Sequence, residues 1–319
     1  MKIVLNKIVF AALSLFALSS CMKDKVKGAG DAGTTIVKMM NPGSKVLAFD
    51  AVSTPQTAML VDIRRDANSE ASLNSSTSVT VTLDQAIMDT YNEDNGTAFE
   101  FLPAEFFTTD PGMAGNSFNL TFGPGEFAKP IKFTLKDATQ LDFSKQYALP
   151  LTITTVDAGG KVSDSKSSMV IVLVKNTWDG AYEVTGTMKD EAADLGGVFP
   201  MNYHLITSGA VTVDGFDPDY WVDYFIPIMS GADVSGYGGY SPVFEFDPAT
   251  NKIVKVTNIY GQPAANGRYA SLDPSGVNAY DPATKTIKVK FFMHQPASIP
   301  AAPHIRVKFD WTMKRTGDR

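Results

Sequence analysis

The densest group of side chains that could do chemistry lies between Asp214 and Tyr240, where aromatic residues alternate with carboxylates. A pyranose sugar has an apolar face of C–H bonds and a rim of hydroxyl groups. Its binding sites therefore pair a flat aromatic ring with carboxylate, amide or Arg groups at the edge. On this ground the candidate glycan-binding residues are Tyr220, Trp221, Tyr224, Asp217, Asp219 and Asp223, with Tyr237, Tyr240, Tyr260, Arg268 and Tyr269 as further members.

The local structure expected around these aromatic residues bears on their ligand role, and an alternating strand would compete with it. If residues 220–224 form an alternating strand, Trp221 shares a face with Asp223, and Tyr220 lies on the opposite face with Tyr224, so one aromatic set belongs to a core. Tyr237 and Tyr240 stand among Gly236, Gly238 and Gly239, which predicts an exposed, flexible loop. The other two tryptophans have structural predictions: Trp311 in a core and Trp178 at a domain junction.

Other chemistries find little support in the sequence. Asp214, Asp217, Asp219 and Asp223 offer oxygen ligands for calcium, but the neighbouring Gly215 and Pro218 make them typical turn residues. His204, His294 and His304 lack a zinc-ligand spacing, and no Gly-x-Ser-x-Gly motif occurs. We therefore predict no metal, no cofactor and no catalytic residue. A carboxylate pair for glycoside hydrolysis stays open, because such pairs are defined in space and not by sequence spacing.

The elements that must position these groups are predicted to be strands. From Ile36 onward, short runs of alternating apolar residues are separated by turn residues, which indicates an all-β fold. Seven runs in the first half suit an immunoglobulin-like sandwich: Val46 to Phe49, Met59 to Ile63, Val79 to Leu83, Phe118 to Phe122, Ile131 to Leu135, Leu149 to Ile153, and Met169 to Val174. Asp84 to Asn92 predicts one helix capped by Asp84.

The second half is also rich in strands. Asp247-Pro248-Ala249-Thr250 and Asp281-Pro282-Ala283-Thr284 share a turn sequence, which predicts two hairpins in an up-and-down sheet. Residues 305–314 alternate between apolar and polar side chains, which is typical of a strand with one buried face. We expect an antiparallel, lipocalin-like or otherwise curved barrel here.

The N-terminal segment predicts export. Residues 1–20 are basic at Lys2 and Lys7, apolar from Ile8 to Leu18, and shorter than the roughly 20 apolar residues that span a bilayer. Leu18-Ser19-Ser20-Cys21 resembles a bacterial lipobox, which implies that Cys21, the single cysteine, carries lipid. The net charge of −6 becomes more negative when this segment is removed, which argues against a nucleic-acid partner.

Four short motifs carry a family resemblance. They are Tyr91-Asn92, Gly96-Thr97, Phe101-Leu102-Pro103 and Tyr147-Ala148-Leu149-Pro150-Leu151. In order and spacing they resemble the N-terminal immunoglobulin-like domain of unknown function in Bacteroidetes surface lipoproteins from polysaccharide-utilisation loci. The resemblance implies that residues 36–176 form a presenting module that is not itself catalytic.

The predicted organisation has four parts: a signal peptide over residues 1–20, a tether over 21–35, the sandwich over 36–176, and a β-rich domain over 177–319. All three tryptophans and all but two of the eleven tyrosines lie from Trp178 onward. We therefore expect a lipid-anchored outer-membrane protein, facing the cell exterior, whose second domain binds glycan for a neighbouring uptake system. A surface protein that binds protein partners, such as a transporter component, is the alternative, and a glycoside hydrolase is the third candidate.

Overall fold

The computed structural model describes residues 34–157 and 159–319. The all-β prediction is confirmed, because 53% of the residues are in strands and only 7% in helices. Within the described residues, no helix has the length and apolar character needed to cross a bilayer. The lipid attachment predicted at Cys21 lies outside the described residues.

The first half forms a two-sheet sandwich. Its strands are β1 (Ile36–Met39), β2 (Gly43–Asp50), β3 (Gln56–Asp66), β4 (Thr77–Leu83), β5 (Phe99–Phe101), β6 (Phe107–Asp110), β7 (Ser117–Phe122), β8 (Ala128–Leu135), β9 (Gln146–Val156), β10 (Lys161–Val162) and β11 (Ser167–Lys175). One sheet has the order β10-β1-β3-β8-β6 and the other the order β2-β11-β9-β4-β7, with β5 also paired to β9. The core between them contains Phe118, Phe122, Ile131, Phe133 and Leu151.

All seven strands predicted for this half are present, because each predicted run lies inside one of these strands. The predicted helix is also present. Two α-helices, α1 (Glu70–Leu73) and α2 (Gln85–Asn95), lie on the sandwich, with 3₁₀ turns at Ala104–Phe106 and Ala138–Gln140. The Asp84 side chain caps α2 by accepting a hydrogen bond from the Ala86 N–H at 3.1 Å.

The second half forms a closed antiparallel barrel. Its strands are β12 (Gly180–Asp190), β13 (Leu195–Gly197), β14 (Met201–Thr207), β15 (Thr212–Phe216), β16 (Pro227–Ser230), β17 (Asp233–Gly236), β18 (Pro242–Asp247), β19 (Lys252–Asn258), β20 (Tyr269–Leu272), β21 (Ala279–Asp281), β22 (Thr286–His294) and β23 (Ile305–Gly317). The ring runs β12-β14-β15-β18-β19-β21-β22 and closes where β23 pairs with both β22 and β12. Strands β13, β16 and β17 form a separate three-stranded sheet.

Large aromatic side chains fill the barrel interior. Phe291 and Phe309 stack at 4.5 Å between ring centroids, and the Trp311 ring packs edge-on against Phe291 at 5.0 Å. Trp311 is fully buried, so its predicted core role is confirmed. The two hairpins predicted from the shared turn sequence are also present: Asp247 and Asp281 each accept a hydrogen bond from the backbone N–H two residues ahead.

The strand directions give the barrel two different ends. At the junction end, the Asn176 side chain donates to the carbonyls of Gly209 and Thr212, next to where the sandwich strand β11 stops. Near it, Trp178 is buried and stacks on Phe246 at 4.2 Å, as a junction role predicts. The opposite end, called here the far rim, consists of residues 191–200, 217–241, 259–268 and 295–304.

Candidate functional site

Almost all of the predicted ligand residues lie on the far rim. Strand β15 runs away from the junction and ends at Phe216, so residues 217–226 come out at this end. Strand β19 runs in the same direction and delivers Tyr260 and Arg268 to the same end. The closed barrel therefore brings together residues that the sequence separates by about 50 positions.

Three aromatic side chains are exposed there. Tyr220 is 47% exposed, Trp221 is 42% exposed and Tyr260 is 43% exposed. The Tyr220 and Trp221 rings lie 6.2 Å apart at 44°, and the Tyr260 hydroxyl donates to the Tyr224 carbonyl at 3.0 Å. We call Tyr220, Trp221 and Tyr260 the aromatic platform.

A buried carboxylate holds the backbone of the loop that carries Tyr220 and Trp221. Asp217 is fully buried and accepts hydrogen bonds from the backbone N–H groups of Asp219 at 3.2 Å and Trp221 at 2.7 Å, and from that of Tyr220. Backbone hydrogen bonds between Asp217 and Asp223 close the loop at 2.9 and 3.2 Å. Asp217 is therefore a positioning group and not a ligand group, which corrects its predicted place in the glycan-binding set.

Residues 220–224 form a loop and not a strand, so the alternation of faces that a strand would impose does not apply. Val222 has a φ of 52°, in the left-handed region that a β-branched residue rarely adopts. This turn of the backbone puts Tyr220 and Trp221 on the surface together. Behind them, Phe225 stacks under the Trp221 ring with 6.2 Å between centroids.

Two exposed carboxylates come from the same loop as Tyr220 and Trp221. Asp219 and Asp223 are both exposed, and Asp219 accepts a hydrogen bond from the Asn202 amide at 2.9 Å. Tyr224 is half-buried with its ring edge-on to Phe216, and burial raises the pKa of its hydroxyl. Within residues 34–157 and 159–319, no group of three or more His, Cys, Asp or Glu side chains is arranged to hold a metal ion.

Tyr237 and Tyr240 do not form an exposed loop, so that prediction is wrong. Tyr237 is 2% exposed and Tyr240 is fully buried. The glycine-rich segment returns the chain from β17 into the barrel, where Tyr240 stacks on Phe309 and the Tyr237 hydroxyl donates to Asp190. These glycines allow the backbone to turn closely back into the barrel. They do not form a flexible loop for a ligand.

Arg268 and Tyr269 also pack within the rim. The Arg268 guanidinium lies over the Tyr237 ring, 5.2 Å from its centroid. Tyr269 is half-buried and stacks on His294 at 4.4 Å, with the two rings only 4° from parallel. Arg268 retains some exposure, but Tyr269 presents little of its ring face to a ligand.

Asn258 is a rim residue that sequence reasoning missed. Its side chain is buried, and its oxygen accepts from the N–H groups of Ser241 and Tyr260 at 3.2 and 3.3 Å. Its amide nitrogen donates to the carbonyls of Gly239 and Arg268 at 3.0 and 3.2 Å. One amide therefore joins the two rim loops that carry Tyr240 and Tyr260. No local sequence motif predicts that Asn258 joins these loops, because an Asn at a strand end is also an ordinary turn residue.

Comparisons with known proteins agree with this architecture. A family model described as a "-like, N-terminal domain" matches residues 38–160, which lie within the sandwich. The fold is similar to that of a Bacteroides ovatus protein of unknown function, with a TM-score of 0.54 at 10% identity over 89% of this chain and 95% of that chain. The chain is thus an all-β protein in which residues 38–160 resemble a known N-terminal domain.

Two other solved structures are similar to a lesser degree. A multidomain protein including DUF1735 from Bacteroides ovatus has a TM-score of 0.48 at 8% identity, covering 89% of this chain and 93% of that chain. An auxiliary nutrient binding protein from Bacteroides thetaiotaomicron has a TM-score of 0.40 at 14% identity, covering 84% of this chain and 89% of that chain. No curated protein matches the sequence.

Proposed function

We propose that this protein is a glycan-binding surface lipoprotein that holds polysaccharide or oligosaccharide on its far rim without cleaving it. The observation that carries the proposal is the pair Tyr220 and Trp221, exposed on a loop that the buried carboxylate of Asp217 fixes. A loop already held in its binding conformation loses little conformational entropy when a ligand binds. Exposed aromatic rings beside Asp219 and Asp223 offer the stacking face and the hydroxyl acceptors that a sugar needs.

The position of the platform supports presentation away from a membrane. In our proposal Cys21 carries the lipid, and the sandwich follows it in the chain. The platform lies at the end of the barrel opposite the junction where β11 stops. We also propose that a partner in the outer membrane takes up the bound glycan.

Affinity electrophoresis against a polysaccharide panel tests the proposal. We expect at least one glycan to retard the protein, and Trp221→Ala to weaken that binding by about tenfold or more, as truncation of a central aromatic residue does. Phe127→Ala is the matched control, because Phe127 is an aromatic residue on the sandwich that is at least as exposed as Trp221. Absence of retardation by every glycan, with the protein shown to be folded, contradicts the proposal.

The same samples separate binding from hydrolysis. A non-catalytic protein releases no reducing sugar from the glycan that it binds. Release that disappears in Asp219→Asn or Asp223→Asn would instead identify a glycoside hydrolase.

A second candidate function, binding to a protein partner, is favoured by a patch on the sandwich. Phe127 and Met40 are exposed there, and the Arg64 guanidinium lies 5.5 Å from the Phe127 ring centroid. An apolar patch rimmed by charge is typical of protein interfaces. Capture of a transporter component without glycan, lost in Phe127→Ala and kept in Trp221→Ala, would support this function.

A further inference from the structure

A charged cluster lies where strands β12 and β23 meet the far rim, and it has more positive than negative charge. It consists of Asp190, Tyr237, Arg268, Gln295 and Arg306, which we call the rim cluster. The guanidiniums of Arg268 and Arg306 lie over the Tyr237 ring, 5.2 and 5.3 Å from its centroid. Asp190, whose side chain is fully buried, forms an ion pair with Arg306.

The two arginines are not equally satisfied. Arg306 pairs with Asp190 through Nη2 at 3.1 Å and through Nε at 3.1 Å. Arg268 has no carboxylate partner in residues 34–157 or 159–319: its Nε donates to Gln295 Oε1 at 3.3 Å and its Nη1 donates to the Gly238 carbonyl. Burial and the neighbouring Arg306 lower the pKa of Arg268, as expected for a cation without its own anion.

Donors also exceed acceptors in the rim cluster. Gln295 Oε1 already accepts from Arg306 Nη1 at 2.6 Å as well as from Arg268. Arg268 Nη2 and Gln295 Nε2 have no acceptor among the described residues. Two unused donors and one unbalanced positive charge lie together where Arg268 is still partly exposed. Partly buried guanidinium groups favour a bound anion, because charge-assisted hydrogen bonds are about twice as strong as neutral ones.

The rim cluster is connected to the aromatic platform. The Asn258 side chain binds the backbone of Tyr260 with its oxygen and the backbone of Arg268 with its nitrogen. Tyr260 and Arg268 are therefore held together through Asn258 at the two ends of one rim loop, residues 259–268. Asp219 and Asp223 repel negative charge from the Trp221 ring, so an acidic group of the ligand belongs over Arg268 and a neutral sugar over the indole.

We propose that Arg268 and Gln295 form an anion subsite for a carboxylate or sulfate group on a sugar, so that the ligand is an acidic glycan. This inference rests on the proposed glycan-binding function and names its ligand class. A uronic acid and a sulfated sugar present the same anionic oxygens, and paired polymers distinguish them.

The experiment compares polygalacturonate with its methyl ester, and dextran sulfate with dextran, in affinity electrophoresis of the full chain. We expect one acidic polymer to bind more tightly than its neutral partner, by a factor of about ten or more. One hydrogen bond to a charged group gives an effect of this size. Arg268→Gln should reduce that binding to the level of the neutral partner. Arg64→Gln, which removes the same charge from the sandwich, should leave it unchanged.

Gln295→Glu provides a second test that does not depend on how well Arg268→Gln folds. The new carboxylate would lie between both guanidiniums and supply the missing negative charge. We expect Gln295→Glu to raise the melting temperature and to abolish the preference for the acidic polymer. A variant that keeps the preference overturns the anion subsite.

The outcomes separate this inference from the proposed function. Equal retardation by acidic and neutral polymers, or acid preference that survives in Arg268→Gln, overturns the anion subsite and leaves glycan binding standing. Loss of acid preference in Arg268→Gln supports the subsite, and undiminished overall binding in Trp221→Ala contradicts the role of the indole. Failure of every polymer and of the wider glycan panel to retard the folded protein overturns both.

Discussion

At the scale of single residues, side chains that look alike in the sequence have opposite roles. Trp221 is exposed and Tyr240 is fully buried, although both follow turn-forming residues in the same stretch. Asp217 and Asp219 are two positions apart, yet the first binds backbone N–H groups inside the protein and the second faces solvent. The side chains that fix the rim are therefore as important to the site as those that would touch a ligand.

Asp217→Asn tests the positioning role of the buried carboxylate. An amide accepts weaker hydrogen bonds than a carboxylate, so we expect the free energy of unfolding to fall by about 1.5–3 kcal/mol. Acrylamide quenching of tryptophan fluorescence should increase, because Trp221 is the exposed tryptophan and Trp178 and Trp311 are buried. Asp219→Asn is the control and should change stability by no more than about 0.5 kcal/mol. Equal effects of the two substitutions would contradict the role given to Asp217.

At the scale of elements, the final strand β23 connects barrel closure to core packing. It pairs with β12 on one side and β22 on the other, and so closes the ring. Its inward positions Val307, Phe309, Trp311 and Met313 are all buried. The period-two pattern in residues 305–314 predicted this strand and its buried face. The pattern did not reveal its two partners, because it is local.

Trp311→Ala should be severely destabilising. The Trp311 ring contacts Tyr203 at 5.5 Å and Phe291 at 5.0 Å between centroids, so its removal leaves a large cavity. We expect a loss of about 3–5 kcal/mol in urea denaturation. Lys308→Ala on the exposed face of the same strand removes only a surface ion pair with Glu191 and should cost less than about 1 kcal/mol. A small effect of Trp311→Ala would mean that the barrel interior is not packed as described.

At the scale of the whole molecule, polar contacts at the junction end connect the sandwich to the barrel. Asp179 Oδ2 accepts from the Thr207 N–H at 2.8 Å and from Arg319 Nη2 at 2.9 Å. The Nζ atom of Lys175, the last residue of β11, lies 3.4 Å from Asp179 Oδ1. These contacts lie at the end of the barrel opposite the far rim.

The junction carboxylate should make stability depend on pH. Burial alone would raise the pKa of Asp179, but its hydrogen bonds with Arg319 and Thr207 bring the pKa below its ordinary 3.8. A lowered pKa means that the unfolded state binds the proton more readily, so the stabilisation is present above the ordinary value and is lost as the pH falls through the lowered one. Asp179→Asn should therefore cost about 1.5–3 kcal/mol at neutral pH.

Urea denaturation of the wild type and of Asp179→Asn, at neutral and at acidic pH, checks the predicted pH dependence. The difference between wild type and Asp179→Asn should shrink as the pH falls below the ordinary carboxyl range. Asp66→Asn, which breaks an exposed ion pair with Lys38, should have a small effect at every pH. A difference that stays constant with pH would show that Asp179 acts through packing and not through its charge.

The sequence by itself determined the elements whose signal is local. Alternation of apolar residues predicted the sandwich strands and β23, Asp84 predicted the cap of α2, and the repeated Asp-Pro-Ala-Thr sequence predicted two hairpins. The distribution of Trp and Tyr also directed the expected ligand residues to the second half of the chain. These features depend on neighbours a few positions away, so the sequence pattern contains them.

Only the tertiary structure decided which aromatic residues are presented and which are core. Tyr237 is buried because its hydroxyl meets Asp190, 47 residues earlier in the chain, and Asn258 joins two loops that share no sequence signal. A glycine-rich segment suits an exposed loop and a close return into a barrel equally well. Whether such a segment is exposed or buried depends on the residues that face it across the far rim. Those long-range contacts exist only once the ring of strands has closed.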